Sequence, residues 1–194
     1  MTLKGVNDEQ RGKLYKRFQA IVERTGEGKS LDFDFVMNKL QIIHDGVDLF
    51  DPHKFFVTRR GLEISRYFRG SILSVAKKIA ILPSDETDHY SILKSMKDTE
   101  IRKIIGEKCV YEDASKFCFA LANMINKQPK GEEGILLIDG NVNIFYVRGK
   151  NGVVFVVYVY WRVVAMRWAA ACDLFDCGCW SAKCRVLYKR LLTK

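Results

Sequence analysis

Gly134-Ile-Leu-Leu-Ile138, Val142-Asn-Ile-Phe-Tyr-Val147 and Val153-Val-Phe-Val-Val-Tyr-Val-Tyr-Trp161 are three runs rich in β-branched and aromatic residues, the side chains that suit a pleated, half-buried surface. Asp139-Gly140-Asn141 and Gly149-Lys-Asn-Gly152 stand between them as turn signals, so the spacing predicts two hairpins. Arg167 to Leu174 and Arg185 to Tyr188 predict two further strands. Within the longest run Tyr158 and Tyr160 alternate with Val157 and Val159, which puts both tyrosines on one face.

Upstream, the period changes to that of a helix. Asn7 and Gln10 have capping-box spacing before Leu14, Phe18, Ile21 and Val22, and Phe33, Val36, Met37, Leu40 and Ile43 stripe a second helix from about Asp32. Asp51-Pro52 reads as a turn and Phe55 to Thr58 as a short strand. Gly61 then opens a helix from Leu62 to Ile79, with Ile64, Phe68, Ile72, Val75 and Ile79 on one face. Pro83 to Asp88 reads as a loop, and Tyr90–Met96 and Thr99–Ile105 as two short helices, with Asp98 able to cap the second. Glu112 to Lys127 is a strong helix with Phe117, Leu121, Met124 and Ile125 inward, stopped by Pro129 and Gly131. Helices followed by an antiparallel meander predict an α+β fold, organised as an N-terminal helical segment over 1–50 and one domain over 51–194.

Of the 194 residues, 48% are hydrophobic and 12% aromatic, which excludes a disordered chain, a collagen-like repeat and a coiled-coil rod. No apolar run approaches the roughly 18 residues of a spanning helix, and the first residues hold no apolar signal core. The expectation is a protein without a membrane span, in a cytoplasmic or virion-associated setting. The net charge is +9, and from Tyr146 to Lys194 nine basic residues face only Asp173 and Asp176. Four of the six cysteines, Cys172, Cys177, Cys179 and Cys184, crowd into one short segment, with free thiols expected.

Enzymatic motifs are weak. Gly26-Glu-Gly-Lys-Ser30 looks like the end of a phosphate-binding loop, but the motif needs Gly at position 23, where Glu23 stands, and no apolar strand precedes it. His44, His53 and His89 lie at no metal spacing and are expected on the surface or in loops. No nucleophile elbow is present and no carboxylate pair stands out. The expectation is a protein that is not an enzyme and carries no cofactor. The four clustered cysteines leave a zinc-stabilised domain open as an alternative. Their C-x4-C-x-C-x4-C spacing argues against it, because a single intervening residue points Cys177 and Cys179 oppositely in an extended chain.

All three tryptophans, Trp161, Trp168 and Trp180, fall in the last 34 residues and read as anchors of the final sheet. The residues between them follow neither a helix nor a strand period. With Gly61-Leu-Glu-Ile-Ser-Arg-Tyr-Phe-Arg-Gly-Ser-Ile-Leu73, Gln128-Pro-Lys-Gly-Glu-Glu-Gly-Ile-Leu-Leu-Ile-Asp-Gly-Asn-Val-Asn-Ile-Phe-Tyr-Val147, Val157-Tyr-Val-Tyr-Trp161 and Trp180-Ser-Ala-Lys-Cys-Arg-Val-Leu187, the chain resembles uncharacterised proteins of uncultivated bacteria and archaea. These resemble the variable proteins of diversity-generating retroelements. The resemblance covers roughly residues 50 to 190. It implies a C-type lectin fold whose C-terminal variable region, about 153–188 here, is rewritten by mutagenesis at template adenines.

That implication meets a test in the residues themselves. Randomising the adenines of AAC or AAT codons never yields Met, Trp, Lys, Gln or Glu. From Arg162 to Cys184 only Met166, Trp168, Trp180 and Lys183 fall outside the reachable set. The cysteine cluster then needs no metal. Calcium-dependent sugar binding is not implied, since the tail offers only Asp173 and Asp176. The resemblance implies an exposed, ligand-binding set of Tyr158, Tyr160, Arg162, Val163, Arg167, Ala169, Ala171, Cys172, Cys177, Cys179, Ser181 and Cys184, on a scaffold of Trp161, Trp168, Trp180, Arg185 and Val186. The function implied is non-enzymatic binding of a macromolecular, protein ligand. The alternative partner is nucleic acid, held by Arg162, Arg167, Lys183 and Arg185 with stacked aromatics.

Overall fold

The computed structural model describes residues 49–81, 87–106 and 109–189. The two helices expected before Asp45, the phosphate-loop-like segment and His44 lie outside them, as does most of the expected segment 1–50. The fold is mixed α+β. In chain order it comprises β1 (Leu49–Phe50), α1 (Pro52–Phe55), β2 (Leu62–Ile64), α2 (Arg66–Ser71), a 3-10 turn (Leu73–Val75), β3 (Ile79–Ala80), β4 (Thr87–Ser91) and β5 (Met96–Lys97). There follow α3 (Asp98–Ile105), β6 (Val110–Tyr111), α4 (Ala114–Lys127), β7 (Asn143–Arg148), β8 (Val154–Arg162), β9 (Arg167–Leu174), β10 (Cys179–Trp180) and β11 (Arg185–Lys189).

The main sheet runs in the order β2-β9-β8-β7-β11-β4, with β6 also paired to β7. Its centre, β7-β8-β9, is the antiparallel meander expected from the alternating runs. The rest corrects that expectation, because β2 joins β9, and β6 and β11 join β7, in parallel. The sheet is therefore mixed.

Three further expectations are corrected upstream. Phe55 closes a short helix rather than opening a strand: the Asp51 side chain accepts from the His53 N–H, and Pro52 presets the first turn. Leu62 and Ile64 form a strand rather than a helix, because they pair with Trp168 and Ala170 far along the chain. The helix starts only after Ser65, whose Oγ accepts from the Phe68 N–H at 3.1 Å. Tyr90 belongs to β4, paired with β11, rather than to a helix. α4 stands where its stripe predicted, capped by Asp113 with Oδ1 accepting from Ser115 and Lys116.

The first β-like run, 134–138, forms no strand. Two buried amides satisfy its backbone instead. Gln128 Oε1 accepts from the Leu136 N–H at 3.0 Å, while its Nε2 donates to the Glu132 and Leu136 carbonyls. Asn143 accepts from the Leu137 N–H at 2.8 Å and donates to the Leu137 and Val159 carbonyls. Each amide spends its donors and its acceptor on buried main chain, which makes the cost of burying it small.

Alternation along β7, β8 and β9 divides the sheet between two environments. One face packs Phe145, Val147, Phe155, Val157, Val159, Trp161, Trp168, Ala170 and Cys172 against α2 and α4 as the main core. The other sends Ile144, Tyr146, Val156 and Val186 into a smaller cluster with Ile92, Met96, Ile101, Cys109 and Cys184. That smaller cluster covers β7, β11 and the start of β8, so the second face beyond Val156 is less deeply covered: Tyr158, Tyr160 and Ala171 are half-buried and Arg162 is exposed.

Candidate ligand-binding face

The β8–β9 register brings together half of the residues implied by the resemblance. Tyr158 stands opposite Ala171, Tyr160 opposite Ala169, and Arg162 opposite Arg167. β2 extends the row by pairing Glu63 with Ala169. These positions share a parity opposite to that of Trp161 and Trp168, so they line the face turned away from the main core. The alanines form a low floor between aromatic and charged side chains. Ala171 is half-buried, while Ala169, between Tyr160 and Glu63 in the ladder, is buried and corrects the expectation that it is exposed.

Glu63 is the member that sequence reasoning missed. Arg162 Nη1 and Arg167 Nη2 both reach its Oε2, at 2.7 and 2.9 Å. Two like charges directly opposite each other in a ladder repel; the shared carboxylate offsets this and holds both guanidinium groups in place. The three side chains remain more than a third exposed, so the pairs contribute orientation more than stability. Tyr158 donates from its OH to Asp173 Oδ2 at 3.0 Å, and its ring lies 5.7 Å from that of Trp180. Burial, then the bond to Asp173, pushes the phenol up to about 12, so Tyr158 presents a neutral hydroxyl.

At one end of the face the turn between β9 and β10 is held by Asp98. Its Oδ1 accepts from Trp180 Nε1 at 2.6 Å and from the Tyr146 hydroxyl at 2.9 Å, and its Oδ2 accepts from the Asp176 N–H at 3.1 Å. This corrects the expectation that Asp98 caps α3: Lys97 occupies the cap, its N–H bonded to Glu100, and the Asp98 carboxylate turns inward. Burial is the largest influence on Asp98 and pushes its carboxyl up, against the three hydrogen bonds that favour the charge.

Under the face, Trp168 is fully buried, donates from Nε1 to the Gln128 carbonyl at 2.7 Å, and meets Trp161 edge to face at 5.3 Å. Gly131, at φ +71°, lies against the Trp161 ring where any side chain would collide with it.

The remaining implied residues divide. Val163 is exposed in the β8–β9 turn, beside Val164 and Met166. Cys177, Cys179 and Ser181 are exposed around β10. Cys172 and Cys184 are buried and correct the expectation of exposure: Cys172 shares the parity of Trp168 and enters the main core, while Cys184 enters the smaller cluster. The four cysteines therefore do not converge on one ion, with one on each side of the sheet and two at the surface. Burial also pushes the Cys172 thiol up to about 12, far from the thiolate a metal requires. Among the described residues no three His, Cys, Asp or Glu gather as a metal-holding group. His53 bonds the Ala76 carbonyl at 3.1 Å, and His89 is exposed in β4.

No family model matches the chain, and neither a curated protein nor a solved structure is found to be similar to it. Among the described residues no helix is long and apolar enough to cross a membrane.

Proposed function

We propose that the protein is a non-enzymatic binding protein, a retroelement-diversified variable protein of C-type lectin-like fold whose β8–β9 face takes a protein ligand. The observation that carries this reading is the register that sets Tyr158, Tyr160 and Arg162 against Ala171, Ala169 and Arg167 on the face opposite the main core. Tyrosine and arginine are the side chains that dominate protein interfaces. Small residues between them give a surface that can be reshaped without disturbing Trp161 or Trp168.

A second observation supports the diversification. Between Arg162 and Cys184 the residues unreachable by adenine mutagenesis are Met166, Trp168, Trp180 and Lys183. Each has a structural task. Trp168 and Trp180 spend their indole N–H groups on Gln128 and Asp98, and Met166 and Lys183 hold left-handed turn positions at φ 46° and 76°. The reachable residues fill the places between. On this reading Tyr158, Tyr160, Arg162, Val163, Arg167, Ala171, Cys177, Cys179 and Ser181 are the displayed set, and Cys172, Cys184 and Ala169 belong to the support.

The test is the DNA around the gene. The reading expects a near-copy of the codons for about 153–188 beside a reverse transcriptase gene, with adenines at the displayed positions and none at the Trp161, Trp168 and Trp180 differences. Flanking DNA without such a copy overturns it.

A further inference from the structure

We infer that the block formed by α1, β2 and α2 is a second interaction surface, which binds the phosphodiester backbone of a nucleic acid. The basic residues of the C-terminal third are poor candidates for that task because they are already engaged. Arg148 pairs with Glu112, Arg162 and Arg167 share Glu63, and Arg185 donates to the Ile135 carbonyl at 2.7 Å. Residues 51–78 differ. They hold seven Lys and Arg against two acids. Both acids are spent, Asp51 on Lys78 at 3.2 Å and Glu63 on the two arginines of the sheet face.

That leaves Lys54, Arg59, Arg60, Arg66, Arg69 and Lys77, all exposed and in no ion pair with another described residue. Local bonds tie them into one block. His53 on α1 bonds the Ala76 carbonyl next to Lys77. Arg69 on α2 donates from Nη2 to Thr58 Oγ1 at 3.2 Å and to the Ile64 carbonyl at 2.9 Å, which fastens the turn carrying Arg59 and Arg60 to the helix. The Arg59 guanidinium lies over the Phe55 ring, 5.0 Å from its centroid. Two of the arginines are thus held before any ligand arrives, which lowers the entropy lost on binding. Arg66 and Arg69 are three apart on α2 and share a side of it.

The chemistry selects the partner. Cations spread over a helix, a turn and a second helix, with no free acid among them, fit an extended polymer of one sign better than a small anion or a protein surface of mixed charge. Guanidinium groups match phosphate oxygens in two-pronged fashion, and half-exposed Tyr67 beside Arg66 offers a ring edge to a base. A lipid surface is disfavoured, because α2 has six residues and its large apolar side chain, Phe68, is fully buried, leaving little to insert.

The test is fluorescence anisotropy of the full chain with short labelled duplex DNA, single-stranded DNA and single-stranded RNA, across a salt series. The expected result is binding of at least one of these, with log affinity falling against log salt at a slope of about −3 to −5. The double variant Arg60→Glu/Arg66→Glu is expected to weaken it at least about tenfold and to flatten the slope by roughly 2, at unchanged Tm. The control Lys116→Glu/Lys150→Glu is expected to bind within twofold of the parent. Arg60→Ala/Arg66→Ala gives the same comparison should charge reversal impair folding. No binding to any of the three at about 50 mM salt, equal losses in block and control variants, or polyglutamate or anionic vesicles binding as tightly as the nucleic acids would each overturn the inference.

Discussion

The two faces of the β8–β9 hairpin are built from alternate residues of the same strands and follow opposite rules. On one face Val157, Val159, Trp161, Trp168, Ala170 and Cys172 all lie in the main core. On the other, Tyr158, Tyr160, Arg162 and Arg167 keep part of their surface in water and find partners mostly among themselves and with Glu63, Asp173 and Trp180. The first face is constrained by volume, since a close-packed interior registers every methylene. The second is constrained only by solubility and local charge. A binding surface that must change while the fold persists belongs on the second.

The largest expected effect comes from the first face. Trp168→Ala removes a fully buried ring and orphans the Gln128 carbonyl; it is expected to cost about 3–5 kcal/mol in chemical denaturation. A loss below 1 kcal/mol would erase the distinction between the faces. Next is the turn that borders the second face. Asp98→Ala strips the partner from Trp180 Nε1, the Tyr146 hydroxyl and the Asp176 N–H, and about 2–4 kcal/mol of destabilisation is expected, with a shift in Trp180 fluorescence.

A smaller effect sharpens the same point through pH. Burial raises the Asp98 carboxyl above its ordinary 3.8 in the folded state. The folded protein therefore holds a proton that the unfolded chain has released, and this group's contribution to stability falls as pH rises from 3.8 through the folded value. Asp98→Asn is expected to remove that downward trend in urea midpoints measured across the window; an unchanged trend would show that another group carries it. The smallest effects belong to the second face. Tyr160→Ser and Ala171→Ser are each expected to change stability by less than about 0.5–1 kcal/mol by thermal melting, and a loss as large as that of Trp168→Ala would contradict the account.

What the sequence revealed follows the same division. β7, β8, β9 and α4 were legible because their periods are local and strong. β2 was not. Leu62, Ile64, Phe68 and Ile72 fit a helical stripe as well as a strand followed by a helix, and only parallel pairing with distant Trp168 and Ala170 decides between them. Gly134 to Ile138 has strand composition, but Gln128 and Asn143 satisfy its backbone through side chains, a relation no period encodes.

The shared face of Tyr158 and Tyr160 was readable from alternation. Cys172 was misjudged although a signal existed: in a strand it must share the side of Trp168 and Ala170, so it and Ala171 cannot both face outward. Glu63 carried no local signal, since its task arises only when β2 meets β9.

The most direct test of the account is a saturation scan of residues 157–185 read out by protease resistance of the displayed full chain. The account predicts tolerance that alternates along β8 and β9. Broad substitution should be accepted at Tyr158, Tyr160, Arg162, Arg167 and Ala171, and near-total intolerance found at Val159, Trp161, Trp168, Ala170 and Cys172. Equal intolerance on both faces would contradict the claim that one face is free to vary while the other holds the fold.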